Sequence, residues 1–172
     1  GMASCGKIPF VYTAGAFLAY RSMEFIRDDV CLQNRNVKLI GMGTGLAWST
    51  LGPTHHTTED ISILRAMPGL VVLSPSTPSM TAECVKLAYE HNGPVYIRIG
   101  MGGEPEAYDH PCEVRIGGSQ IVSDGSNIVI FSCGTILPEV IKAKDILAEN
   151  GMSAEFVDMY SVSPLDRSRI IS

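Results

Sequence analysis

The sequence predicts an α/β fold in two parts. A parallel sheet covered by helices spans residues 1–102, a linker follows at 103–118, and a shorter α/β unit occupies 119–172. Three observations carry this expectation. Val37–Met42, Leu70–Ser74 and Val95–Ile99 are short, nearly continuous apolar runs, as strands buried on both faces require. They alternate with segments of helical spacing, which is the pattern of crossover connections in a parallel sheet. Between Gly100 and Gly118 the chain turns rich in Gly, Pro and acid and loses all period, as a connecting segment does.

Taken in order, Met2–Lys7 reads as a helix end with Gly6 at its C-cap. Gly1 ahead of Met2 reads as an appended residue and is left out of the fold argument. Ile8–Thr13 is a short strand that Gly15 ends. Ala16–Cys31 has helical spacing, with Phe17, Tyr20, Met23 and Arg27 on one stripe. From periodicity alone such a stripe is core. After the strand Val37–Met42, Gly41, Gly43 and Gly45 form a glycine-rich loop. It misses the G-x-G-x-x-G dinucleotide pattern by one residue and opens no helix. Trp48, the only tryptophan, lies in this loop and is placed to close over a site.

A helix over Thr57–Met67 is ended by Pro68-Gly69, with Thr57 and Asp60 spaced as a capping box. Thr77-Pro78 supplies N-cap and N1 of a helix running to His91. In the second unit, Ser119–Val122 and Asn127–Ser132 read as strands of a hairpin turning at Asp124-Gly125. A helix over Leu137–Glu149 is stopped by Asn150-Gly151. The strand Ala154–Met159 and a helix over Pro164–Ile171 follow.

The stretch with chemistry in it is Leu51–Asp60. His55 and His56 stand behind a Gly52-Pro53 turn and ahead of an apolar-periodic segment. At a loop-to-helix junction, free backbone N–H groups favour anions, and a neutral imidazole can donate to a polar ligand or take its proton. An adjacent His pair on a loop is, by default, a solvated turn. A metal site is disfavoured, because neighbouring histidines diverge and no zinc-type spacing occurs.

Composition narrows the field. The chain has 172 residues, 45% hydrophobic and 18% charged, which is ordinary for a globular protein. Its net charge of −5 is spread without runs, against nucleic-acid binding and against an anionic membrane surface. No apolar run reaches the length of a membrane span. The five cysteines, at 5, 31, 84, 112 and 133, are scattered without a C-x-x-C pair, as in a reduced, cytoplasmic protein. Cys84 and Cys133 lie in apolar surroundings and are expected to be inert.

Gly52-Pro53-Thr54-His55, then Glu59-Asp60-Ile61, Met67-Pro68-Gly69, Val72-Leu73-Ser74-Pro75 and Gly93-Pro94-Val95-Tyr96-Ile97-Arg98 come in an order that resembles transketolases. Residues 1–102 resemble most of the pyrimidine-binding domain and 119–172 the first half of the C-terminal domain, both Rossmann-like α/β layers. The resemblance implies a subunit or fragment of an enzyme that moves a two-carbon ketol unit between sugars with thiamine diphosphate. It implies that Phe17, Tyr20 and Met23 contact the cofactor's aminopyrimidine. His55 would be a catalytic and substrate-facing residue, with His56 and Trp48 also toward the sugar. The Mg²⁺ and diphosphate would be held by a diphosphate-binding domain or an N-terminal transketolase subunit outside this chain. The chain alone is then not expected to be active, and a homo-oligomer is expected.

Departures from the family pattern shape the substrate expectation. Thr50 and Leu51 stand where transketolases carry Glu-Asp, Gly43 where they carry a substrate-facing His, and Met101 where they carry a phosphate-gripping Arg. The standard pentose phosphates are therefore not the expected substrates. The activating Glu of the family belongs upstream of Gly6, and no acid precedes Glu24. Two rival readings stand beside this one. One is a flavodoxin-like nucleotide or flavin module, disfavoured by the missing phosphate loop. The other is a non-catalytic assembly or regulatory module that kept the fold and lost the chemistry.

Overall fold

The computed structural model describes residues 1–171. Strands β1 (Phe10–Ala14), β2 (Lys38–Met42), β4 (Val95–Arg98) and β3 (Val71–Leu73) lie side by side in that order, all parallel. A short strand β8 (Ser161–Ser163) closes the sheet beyond β3, antiparallel to it. The second sheet has the order β5 (Gln120–Ser123), β7 (Ala154–Asp158), β6 (Ile128–Ser132).

The apolar strands of the first sheet bury both faces because side chains alternate along a strand. Leu39, Val72 and Tyr96 point into a core with Leu18, Ala19 and Ile26. Ile40, Val71, Leu73, Val95 and Ile97 point into the other, against Met80, Cys84 and Ala88 of helix α3 (Pro78–Glu90). That helix starts as the sequence predicts, with the Thr77 hydroxyl accepting from Met80 N–H and Pro78 in the first turn. Lys38 is fully buried, and its ammonium donates to the carbonyls of His91 and Gly93 at 2.8 and 2.7 Å, just past the helix end.

Several expectations are corrected. The segment 16–31 is not one regular helix. It runs as two π-helical stretches, Phe17–Arg21 and Ile26–Cys31, around a single α turn, α1 (Met23–Phe25). The Ser22 hydroxyl donates to the Leu18 carbonyl and competes with the regular ladder, which favours slippage to the wider pattern. The helix expected over Thr57–Met67 is only α2 (Asp60–Leu64), and Thr57 does not cap it. Glu59 is the N-cap residue, and Asp60 turns inward to an ion pair instead.

Strands β5 and β6 form no hairpin. They flank β7, with β5 antiparallel and β6 parallel to it. Two contacts explain the difference. Ser126 and Asn127 N–H donate to Ser153 O, and any side chain at Gly125 would overlap the Ala154–Glu155 backbone. The chain thus passes beside the start of β7 before entering β6. Helix α4 (Leu137–Glu149) then makes the crossover that parallel pairing of β6 and β7 requires. The last helix, α5, is limited to Arg167–Ile171.

The segment 103–118 has no strand or helix but is tied down. Glu106 accepts from Ser79 N–H and Oγ at 2.8 and 2.7 Å, Tyr108 donates to Asp158 at 2.8 Å, and Cys112 is buried. No helix of the described residues is long and apolar enough to cross a membrane.

Candidate functional site

The site is built on the loop between β2 and α2. Ser49–Leu51 makes one 3-10 turn, and Gly52 ends it at φ +74°, a backbone setting that glycine adopts without strain. The Gly52 carbonyl then accepts from both His55 N–H (3.0 Å) and His56 N–H (3.3 Å). The N–H groups of both histidines are therefore spent inside the turn.

This tight turn sends the two imidazoles in different directions. The His55 ring meets the Phe17 ring edge-on, centroids 5.0 Å apart, and lies 6.3 Å from the Trp48 ring. Its Nδ1 is 3.0 Å from the Thr54 hydroxyl. His56 Nε2 lies 3.3 Å from Ser49 O, an acceptor, so that nitrogen carries the proton there. His56 also borders an open depression of about 400 Å³ shared with Tyr20, Pro53, Thr58, Glu59 and Ile63.

The expected residues thus fall into two groups. Phe17, Trp48 and His55 come together. Tyr20 instead joins His56 on the other side. Its phenol donates to Glu59 Oε2 at 2.6 Å and accepts from Glu59 N–H at 3.0 Å. Burial, then the Glu59 carboxylate, raises the Tyr20 pKa, while the Tyr20 and Thr58 hydroxyls hold Glu59 below the usual carboxylate range. Met23 is 39% exposed and does not line the depression. The wide turns of segment 16–31 account for the dispersal, since they rotate successive side chains off the regular helical stripe.

Two features of the first group bear on ligand binding. One face of Phe17 carries the Arg21 guanidinium, 4.2 Å from the ring centroid. The Trp48 indole lies against Gly43, where any Cβ would overlap Nε1, and that N–H is buried without a hydrogen-bond partner. Among the described residues no group of three His, Cys, Asp or Glu side chains is placed to hold a metal ion.

Below the turn lies a network that the motif reading missed. Asp60 is fully buried and accepts from Tyr96 OH at 2.8 Å and Arg98 Nε at 3.0 Å. Arg98 Nη2 donates to Thr57 O at 3.3 Å. Thr57 and Gly45 exchange two backbone hydrogen bonds, of 2.8 and 3.0 Å. The signal was present in the sequence: Tyr96 and Arg98 share one face of β4, and two acids follow the His turn.

A second polar cluster lies where the two sheets meet. Asp158, fully buried, accepts from the Ser76 and Tyr108 hydroxyls. Burial lifts its pKa from 3.8 to about 6, against the pull of those two donors. Burial also pushes the Cys84 thiol up to about 12, as an inert core cysteine requires.

The family model described as "Transketolase, pyrimidine binding domain" matches residues 1–101, and that described as "Transketolase, C-terminal domain" matches residues 117–172. One subunit of the apulose-4-phosphate transketolase of Phocaeicola vulgatus is 34% identical over 167 residues, covering 96% of this chain and 54% of its own. The "Putative transketolase C-terminal section" of Methanocaldococcus jannaschii is 35% identical over 172 residues, covering 99% of this chain and 54% of its own. A solved structure described as "Split gene transketolase, inactive beta4 tetramer" superposes with a TM-score of 0.89 at 32% identity, covering 98% of this chain and 54% of that one. The chain spans about half the length of the relatives it matches.

Proposed function

This chain belongs to the transketolase family, and on that premise we propose that it provides the pyrimidine side of a split, thiamine-diphosphate-dependent transketolase. The observation that carries the reading is the convergence of Phe17, Trp48 and His55 on the family's Gly-Pro-Thr-His turn.

The residues present fit half of the cofactor. Phe17 and Trp48 offer aromatic rings beside His55, which suit a flat heterocycle. The family resemblance extends the cofactor contacts to Tyr20 and Met23, of which Tyr20 lies on the His56 side with its hydroxyl on Glu59. The diphosphate and its Mg²⁺ are proposed to be held by a diphosphate-binding subunit; among the described residues no group of three His, Cys, Asp or Glu side chains is placed for a metal ion. When bound, thiamine diphosphate supplies the nucleophilic carbon that carries the two-carbon unit. His55 would exchange a proton with a sugar hydroxyl through the ring nitrogen not engaged by Thr54. His56 and Trp48 would border the sugar.

The sugar is proposed to differ from the standard pentose phosphates. Leu51 and Met101 are 50% and 47% exposed and apolar where the family pattern has an acceptor and a cation. A phosphate without its Arg loses charge-assisted bonds of about 1.5–3 kcal/mol each. A relative named for apulose 4-phosphate supports an unusual donor.

The test uses the complete enzyme, this chain with its diphosphate-binding partner. His55→Ala should lower turnover by roughly a hundredfold, as loss of a general acid–base does, and His56→Ala by much less. Xylulose 5-phosphate should be a poor donor. A larger loss at His56, or efficient use of xylulose 5-phosphate, would refute the assignment.

A further inference from the structure

Arg98 ends strand β4 under the turn that carries His55, and its guanidinium is committed to two groups. Nε donates to both oxygens of Asp60, at 3.0 and 3.3 Å. Nη2 donates to the carbonyl of Thr57, at 3.3 Å. Toward Nη1 the chain passes at Gly134, where an added Cβ would lie 3.8 Å from Nη1 and 2.6 Å from Ser74 Oγ. The Arg98 side chain is 13% exposed and that of Asp60 is fully buried, so the pair is held in a dry, low-dielectric setting.

Thr57 stands two residues beyond His55, and its hydroxyl reaches back 3.4 Å to His55 O. The carbonyl gripped by Arg98 is the one that also accepts Gly45 N–H. The end of the His turn is therefore pinned to the glycine loop on one side and to the sheet on the other. From this geometry we infer that Arg98 is the positioning residue of His55: it sets where the imidazole stands against Phe17 by holding Thr57 O and Asp60 together. A single side chain does this because the planar guanidinium presents several fixed donors. Lysine keeps the charge but cannot reproduce that fork. Gly134, which follows β6 in the second unit, lies against Ser74, whose Oγ an added Cβ would meet at 2.6 Å. The functional weight of this inference rests on the proposed role of His55; its structural content does not.

The test reads His55 directly in this chain, which has four histidines. In Arg98→Lys, well below its melting temperature, the His55–Phe17 ring contact should vanish from nuclear Overhauser spectra. The His55 ring protons should move, while His91 and His110 stay in place. Tyr96→Phe removes one bond to Asp60 but leaves Arg98 its partners, and should keep the His55 contact. If Arg98→Lys does not fold, Asp60→Asn, which keeps volume and an acceptor, should show the same displacement in part. In the complete enzyme Arg98→Lys should lose turnover by roughly a hundredfold, the scale of an ångström's misplacement, with cofactor binding little changed. A His55–Phe17 contact that survives in Arg98→Lys, or one lost equally in Tyr96→Phe, would overturn the inference. Absence of turnover in the wild-type enzyme would count against the proposed function while the spectra still judge Arg98.

Discussion

Asp158 shows how one residue ties stability to pH at the meeting of the two sheets. Its carboxylate accepts from Ser76 and Tyr108 through Oδ2, and Oδ1 has no partner among the described residues. A carboxyl whose pKa rises from 3.8 to about 6 on folding favours the native state most when protonated. Its contribution is full below about pH 3.8 and is lost as pH rises through about 6. Asp158→Asn should remove this dependence. The amide oxygen can accept the two hydroxyls that the carboxylate accepts. Denaturant unfolding should find the two proteins alike near pH 4. The variant should be the more stable at pH 7, by on the order of 3 kcal/mol at most. A variant less stable at pH 7 would mean that the charged form is worth more here than its burial costs.

At the scale of elements, the loop from Gly43 to Leu51 is set by one close approach. Gly43 has φ +62° and leaves room for the Trp48 indole against its Cα. Gly43→Ala adds a Cβ where the indole nitrogen lies, and places a non-glycine residue in the left-handed region at about 1–2 kcal/mol. The only tryptophan should then leave its half-buried setting against Gly43. Its emission should move to the red and become more open to acrylamide, while far-ultraviolet dichroism holds. Unchanged emission would show that the loop can absorb a side chain at 43. The sequence made much of this scale legible. The apolar runs named the strands β2, β3 and β4, and Thr77-Pro78 named the start of α3, because burial on two faces and a cap leave direct marks in residue type. Other elements left weaker marks. Ser161–Ser163 is too short and too polar to read as a strand, yet its pairing with β3 joins the last part of the chain to the first sheet. The π turns depend on a hydroxyl-to-carbonyl bond at Ser22 that spacing does not reveal. Asp124-Gly125 carries ordinary hairpin chemistry, and only the approach of β7 separates the two strands it joins. At the site, the His turn was legible as a motif, and the split of its two imidazoles followed from their adjacency. Arg98 and Asp60 were in view as letters of that motif, but their ion pair is a tertiary contact across 38 residues.

For the whole molecule, the proposal is that this chain holds one side of a cofactor site and that another subunit holds the other. The aromatic and imidazole groups gather at the β2–α2 loop, and among the described residues no group of three His, Cys, Asp or Glu side chains is placed to hold a metal ion. The most direct measurement is a calorimetric titration of thiamine diphosphate with Mg²⁺. It would be made into this chain alone and into an equimolar mixture with a transketolase diphosphate-binding subunit. Weak or undetectable binding by the chain, and a tight site only in the mixture, is the expected result. A sub-micromolar dissociation constant for the chain alone, or a mixture that binds no better than its parts, would contradict the division of the site.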